Sequence, residues 1–73
     1  MEKNYPPARP GSTRWRSETV ARTEAAYARK CRNEAEAEAD PERRARLIFS
    51  AECAEDNAVQ FRAEARWYAE RGL

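Results

Sequence analysis

One dipeptide, Asp40–Pro41, decides what this chain can fold into. It is the one place where proline interrupts a 59-residue span, Ser12 to Glu70, otherwise free of proline and glycine and rich in alanine, glutamate and arginine. Proline excludes the residue before it from the α region, so a helix arriving at Ala39 ends there. Proline also suits the first position of a new helix, where its missing N–H has no partner anyway. Asp40 is a good N-cap for that helix, and Glu42 adds negative charge to its first turn. The pattern predicts one helix over about residues 13–39, a turn at Asp40, and a second helix over about 41–71 with Gly72 as its left-handed cap. A single kinked helix is the alternative. The hairpin is preferred because it alone brings the two alanine stripes together.

The start of the first helix has two candidate caps. With Ser17 as N-cap, Trp15 falls outside the helix; with Ser12 or Thr13, Trp15 lies in the first turn. The earlier start is preferred, with Glu18 favourably near the positive end of the helix. Residues 1–12 hold three of the four prolines and lack apolar periodicity. They read as a flexible, basic, proline-rich arm, and the PxxP spacing of Pro7 and Pro10 is too common to imply recognition.

On the second helix Leu47, Ala51, Ala54, Ala58, Phe61, Ala65 and Tyr68 follow alternating steps of four and three, the seam of a paired helix. On the first, Ala21, Ala25, Ala28, Ala35 and Ala39 follow similar steps, interrupted by Arg32 and flanked by Val20, Tyr27 and Cys31. The fold class expected is all-α: an antiparallel two-helix hairpin with an alanine-rich seam. A chain of 73 residues has little core of its own. Its second helix also carries apolar residues that the seam does not use, with Phe49, Cys53 and Trp67 on one further side and Ile48 and Val59 on another. Exposed apolar faces on a small domain mark contact with another chain. A four-helix dimer is the simplest assembly.

Chemistry is constrained by what is missing. With no histidine in the chain, the commonest general base and the usual di-iron ligand spacing are both gone. Glu24, Glu52 and Glu55 are the only carboxylates that invite a metal reading, and pairing of Glu24 with Arg62 is the simpler one. No phosphate loop, catalytic triad or zinc spacing occurs, so neither an enzyme nor a cofactor or metal is expected. Two cysteines allow at most one bridge, and reduced thiols are expected, Cys31 in the core and Cys53 off it. A cytoplasmic location follows from the lack of a signal-like or membrane-spanning run. The preference for arginine over lysine, twelve to two, fits a GC-rich bacterium or its phage.

The function expected is that of a non-enzymatic protein–protein interaction module, a small regulator, inhibitor or adaptor. It would self-associate and bind a larger host or phage protein through Trp15, Ile48, Phe49, Val59, Trp67 and Tyr68. Net charge is only +1, so nucleic-acid binding is the alternative. It would use phosphate contacts from Arg9, Arg14 and Arg16 in the arm and Arg43, Arg44 and Arg46 at the hairpin tip. The tip arginines also face Glu34, Glu36 and Glu38, which predicts mutual neutralisation across the turn.

Overall fold

The computed structural model describes residues 4–73 and contains two helices, α1 (Thr13–Ala37) and α2 (Pro41–Glu70). Ser12 is the N-cap of α1: its Oγ accepts the Trp15 N–H at 3.1 Å, which places Trp15 in the first turn. Ser17, the other candidate, lies inside the helix and is buried. Asn4 to Arg9 form no helix, and a turn closed by the Ser12 N–H on the Arg9 carbonyl at 3.0 Å leads into α1. Residues 1–3 of the expected arm lie outside the described residues.

The turn is built as the Asp40–Pro41 step demands. Glu38 leaves α1 in an extended conformation, two residues before Asp40, so α1 ends at Ala37 and Ala39 lies beyond it. The Asp40 side chain accepts the Glu42 N–H at 3.3 Å, with Pro41 opening α2. Glu38 organises the rest: its carboxylate accepts the Asp40 N–H at 3.1 Å, and its carbonyl accepts two bonds from the Arg44 guanidinium at 3.0 and 2.6 Å. Arg44 thereby satisfies a carbonyl that the end of α1 leaves without an intrahelical partner. At the other end of α2, Leu73 N–H reaches the Tyr68 carbonyl at 2.9 Å and Gly72 N–H reaches Ala69 at 3.2 Å, with Gly72 at φ +72°. That pair of bonds is the Schellman arrangement, which needs the left-handed residue that glycine supplies.

The hairpin measures 48 × 27 × 14 Å between Cα extremes. Its core is a single line of small side chains: Ala21, Ala28, Cys31 and Ala35 from α1 meet Ala51, Ala54, Ala58 and Ala65 from α2. Ala28, Cys31, Ala51 and Ala54 form its densest part, midway along the rod. Small side chains on both surfaces let the helices approach closely. Among the described residues no large side chain is fully buried. Leu47, Phe61 and Tyr68, the large members of the α2 seam, are half-buried at its edges.

The α1 seam differs from the sequence expectation by a small rotation. The buried line runs through Ser17, Ala21, Ala28, Cys31 and Ala35, with half-buried Glu24 completing the steps of four and three. Ala25 is only half-buried and Ala39 is exposed. The reason is Arg32. A seam through position 32 would bury a guanidinium, whereas turning Cys31 inward keeps every seam member small or neutral except Glu24 and leaves Arg32 at the edge, facing α2. Ser17 costs little there, since no buried side-chain polar atom among the described residues lacks a hydrogen-bond partner.

Candidate interaction surface

The edge of the seam nearest Arg32 is defined by one ion pair. Arg32 grips Glu55 with Nε at 2.6 Å from Oε2 and Nη2 at 2.8 Å from Oε1, a parallel two-bond geometry across the helices. That hydrogen bonding holds the Glu55 carboxyl below its ordinary range and raises Arg32 above its own. On the same side of α2 stand Ile48, Glu52, Val59, Arg62 and Arg66, at the heptad-like steps that keep residues on one helical face. Val59 is 63% exposed.

The opposite edge is marked by Tyr27. The neighbouring Cys31 thiol, four residues on, pushes its phenol above the ordinary range. Val20 lies seven residues before Tyr27, and Phe61 lies seven before Tyr68, so four apolar side chains share this edge. Tyr68 donates its hydroxyl to Glu64 at 3.2 Å, and partial burial together with that carboxylate raises its pKa. This edge was missed in the sequence because the alanine stripes dominate the pattern; the two seven-residue spacings are the signal that finds it.

The back of α2, away from the seam, carries Phe49, Cys53 and Trp67. Phe49 is 67% exposed and Trp67 48% exposed. Eighteen residues, or about 27 Å of helix, separate them, so they form two isolated spots on one line rather than a patch. Trp67 is the better organised. The Arg71 guanidinium stacks 3.7 Å from its ring centroid while donating to its carbonyl at 3.0 Å, and Tyr68 meets it edge-on at 5.3 Å. Trp15, at the start of α1, belongs to the same open end of the hairpin as Trp67 and Tyr68. Ile48 and Phe49 lie near the tip.

The described part of the arm packs against the start of α1 and the end of α2. Tyr5 lies under the Arg14 guanidinium, 5.9 Å from its ring centroid, and Pro6 to Arg9 share a hollow with Ala69, Gly72 and Leu73 at the end of α2.

The arginines offered as phosphate contacts are scattered and partly engaged. Arg14 bonds Glu18 at 3.1 Å, Arg43 sits 3.6 Å from the Glu38 carboxylate, and Arg44 holds the Glu38 carbonyl. Arg9, Arg16 and Arg46 have no such partner among the described residues, and they are at opposite ends of the rod. Neutralisation across the turn runs through Glu38 alone, because Glu34 and Glu36 make no ion pair among the described residues. Glu24 is likewise not joined to Arg62. A different, mainly basic group assembles instead: Arg14, Arg22, Arg62 and Arg66, with Glu18 and Tyr5 among them, surround an open hollow of about 430 Å³ floored by Ala21, Ala65 and Ala69.

Both thiols are free, Cys31 buried and Cys53 exposed. The described residues gather no set of three or more potential metal ligands, and none of their helices is long and apolar enough to cross a membrane. Comparison with protein families, curated proteins and solved structures finds no match to this chain.

Proposed function

We propose that the protein is a helical interaction module whose work is done by the side chains its own fold leaves uncovered. The observation that carries this reading is an inversion of the usual burial order. The core is alanine and one cysteine, while Trp15, Val20, Tyr27, Ile48, Phe49, Val59 and Trp67 are all exposed. A folded monomer of 8.4 kDa is expected to expose about 4,600 Å², and this chain, its arm included, exposes 5777 Å². The excess, about 1,200 Å², is shared by the extended arm and the thin rod, and it is of the order of the ~800 Å² that each partner covers in a standard interface. A second hairpin would cover one face and complete a four-helix bundle. The Trp67 spot at the open end, rigid and aromatic, has the character of an anchor for a larger protein.

Phosphate binding draws less support, because three of its six arginines are engaged within the chain. Self-association makes stability depend on protein concentration. The test is the urea or thermal midpoint over a hundredfold range of concentration. A midpoint that rises with concentration supports the reading, and an invariant one counts against it.

A further inference from the structure

The Arg32–Glu55 side of α2 carries a stripe in which a carboxylate and an arginine stand symmetrically about one valine. From tip to open end it reads Ile48, Glu52, Glu55, Val59, Arg62, Arg66, in steps of four, three, four, three and four. Glu52 stands seven residues before Val59 and Arg66 seven after, two helical turns on either side of one valine. Laid against an antiparallel copy centred on Val59, the stripe sets each Glu52 opposite the other copy's Arg66, about 10 Å to either side of the axis. Ala63, four residues after Val59, lies opposite Glu55 and leaves room beside it. Arg62, Ala63 and Arg66 with Val59 line a shallow depression that could receive the facing side chains.

We infer that this stripe is the self-association face, and that a second copy binds it antiparallel with the two-fold axis at Val59. The inference rests on the self-association reading above and adds the face, the direction and the register.

Charge supports it at two scales. Locally, Arg62 and Arg66 are four residues apart on one helix, like charges that repel, and neither has a carboxylate within ion-pair distance among the described residues. Arg22 lines the hollow of about 430 Å³ together with Arg62, Arg66 and Glu18, and donates to the Thr19 hydroxyl at 3.3 Å. Glu52 also lacks an ion partner among the described residues, whereas Glu55 is held by Arg32. The two arginines without an ion pair and Glu52, which feels the Arg32 charge only at longer range, stand on opposite sides of Val59, which is what an antiparallel copy joins.

Along the whole rod, residues 4–25 and 58–73 carry seven arginines against four carboxylates, while residues 26–57 carry six basic side chains against eight carboxylates. The open end is positive by three and the tip negative by two. Parallel copies would place like ends together, and antiparallel copies place each positive end on a negative one. A two-fold axis makes the arrangement closed, so it stops at a dimer instead of growing into a filament.

The experiment is a charge exchange read by solution mass and dissociation constant, with helicity followed by circular dichroism. In the homodimer of Glu52→Arg, two arginines meet at each of two symmetric contacts; in Arg66→Glu, two carboxylates do. Each variant alone should raise the dissociation constant at least tenfold at low salt with helicity unchanged. Mixing the two should restore association. In the mixed dimer the arginine introduced at position 52 of one chain meets the glutamate introduced at position 66 of the other, and the second contact keeps its wild-type pair. The double variant Glu52→Arg, Arg66→Glu should dimerise by itself. If the wild type is a dimer and neither single variant weakens it, this face is wrong although self-association stands. If both weaken it but the mixture stays monomeric, the register is wrong. A wild type that is monomeric throughout overturns the face and the reading beneath it together.

Discussion

Arg32 and Glu55 face each other across the middle of the hairpin with two near-parallel hydrogen bonds of 2.6 and 2.8 Å. Among the described residues they form the one ion pair that joins the two helices outside the turn region. The pair is consistent with the phase of the α1 seam, which turns Cys31 inward and leaves Arg32 outside it. Arg32 can reach Glu55 only from the edge of the seam.

The pair predicts an acid-sensitive stability. The folded-state pKa of Glu55 is lowered, chiefly by the hydrogen bond from Arg32. A carboxylate depressed on folding stabilises the native state above its unfolded pKa, about 4.3, and the contribution is lost as pH falls through the lower folded value. Glu55→Gln should therefore be less stable than wild type at neutral pH, with the difference shrinking below about pH 4. Because both side chains are substantially exposed, added salt should also narrow it. Urea denaturation at pH 3 and pH 7 tests both.

Core and surface should exchange their usual sensitivities. Ala51 is fully buried in the cluster with Ala28, Cys31 and Ala54, and enlarging it to leucine forces the helices apart. Ala51→Leu should cost about 1–3 kcal/mol or more. Phe49→Ala removes a far larger group from an exposed position and should stay within about 0.5 kcal/mol in the monomer. Equilibrium unfolding of the two variants should rank alanine enlargement well above aromatic deletion; the reverse order would contradict the alanine seam.

The turn should be a stability determinant out of proportion to its size. Asp40→Ala removes the cap of α2 and should cost about 1 kcal/mol. Arg44→Ala leaves the Glu38 carbonyl without its two charged donors, so it should destabilise more than Arg46→Ala, whose arginine makes no contact of this kind. Melting temperatures of the three variants settle the order.

The two thiols should react at very different rates. Cys53 is exposed and Cys31 is buried in the densest part of the core. A thiol reagent added to the native protein should modify one cysteine promptly and the second only as fast as the helices separate. Prompt modification of both would mean that the seam opens readily at Cys31.

Most of the architecture was legible in the sequence because it depends on strong local signals. Asp40, Pro41, Ser12 and Gly72 act through their own backbone requirements, and each does in the structure what its residue type predicts. The α2 seam was legible because its apolar residues follow one period without a conflicting charge. The α1 seam was not, because alanine occupies so many positions that two adjacent phases fit nearly equally, and only the cost of burying Arg32 separates them. Side-chain pairing across the helices was the least legible part. Glu38 was one of three tip glutamates with equal claims, and only the extended backbone at that residue brings its carbonyl and carboxylate to Arg44 and Arg43. The Arg14, Arg22, Arg62 and Arg66 hollow depends on the register of two distant segments, which no single stretch encodes.

Under the proposed self-association, this hairpin is half of its working form. Static light scattering with size-exclusion chromatography, run from low micromolar to near-millimolar protein, measures that directly. Self-association through a charge-complementary face predicts a mass moving toward twice the 8.4 kDa chain as concentration rises, and moving back when salt is added. A mass fixed at one chain across the whole range would contradict it.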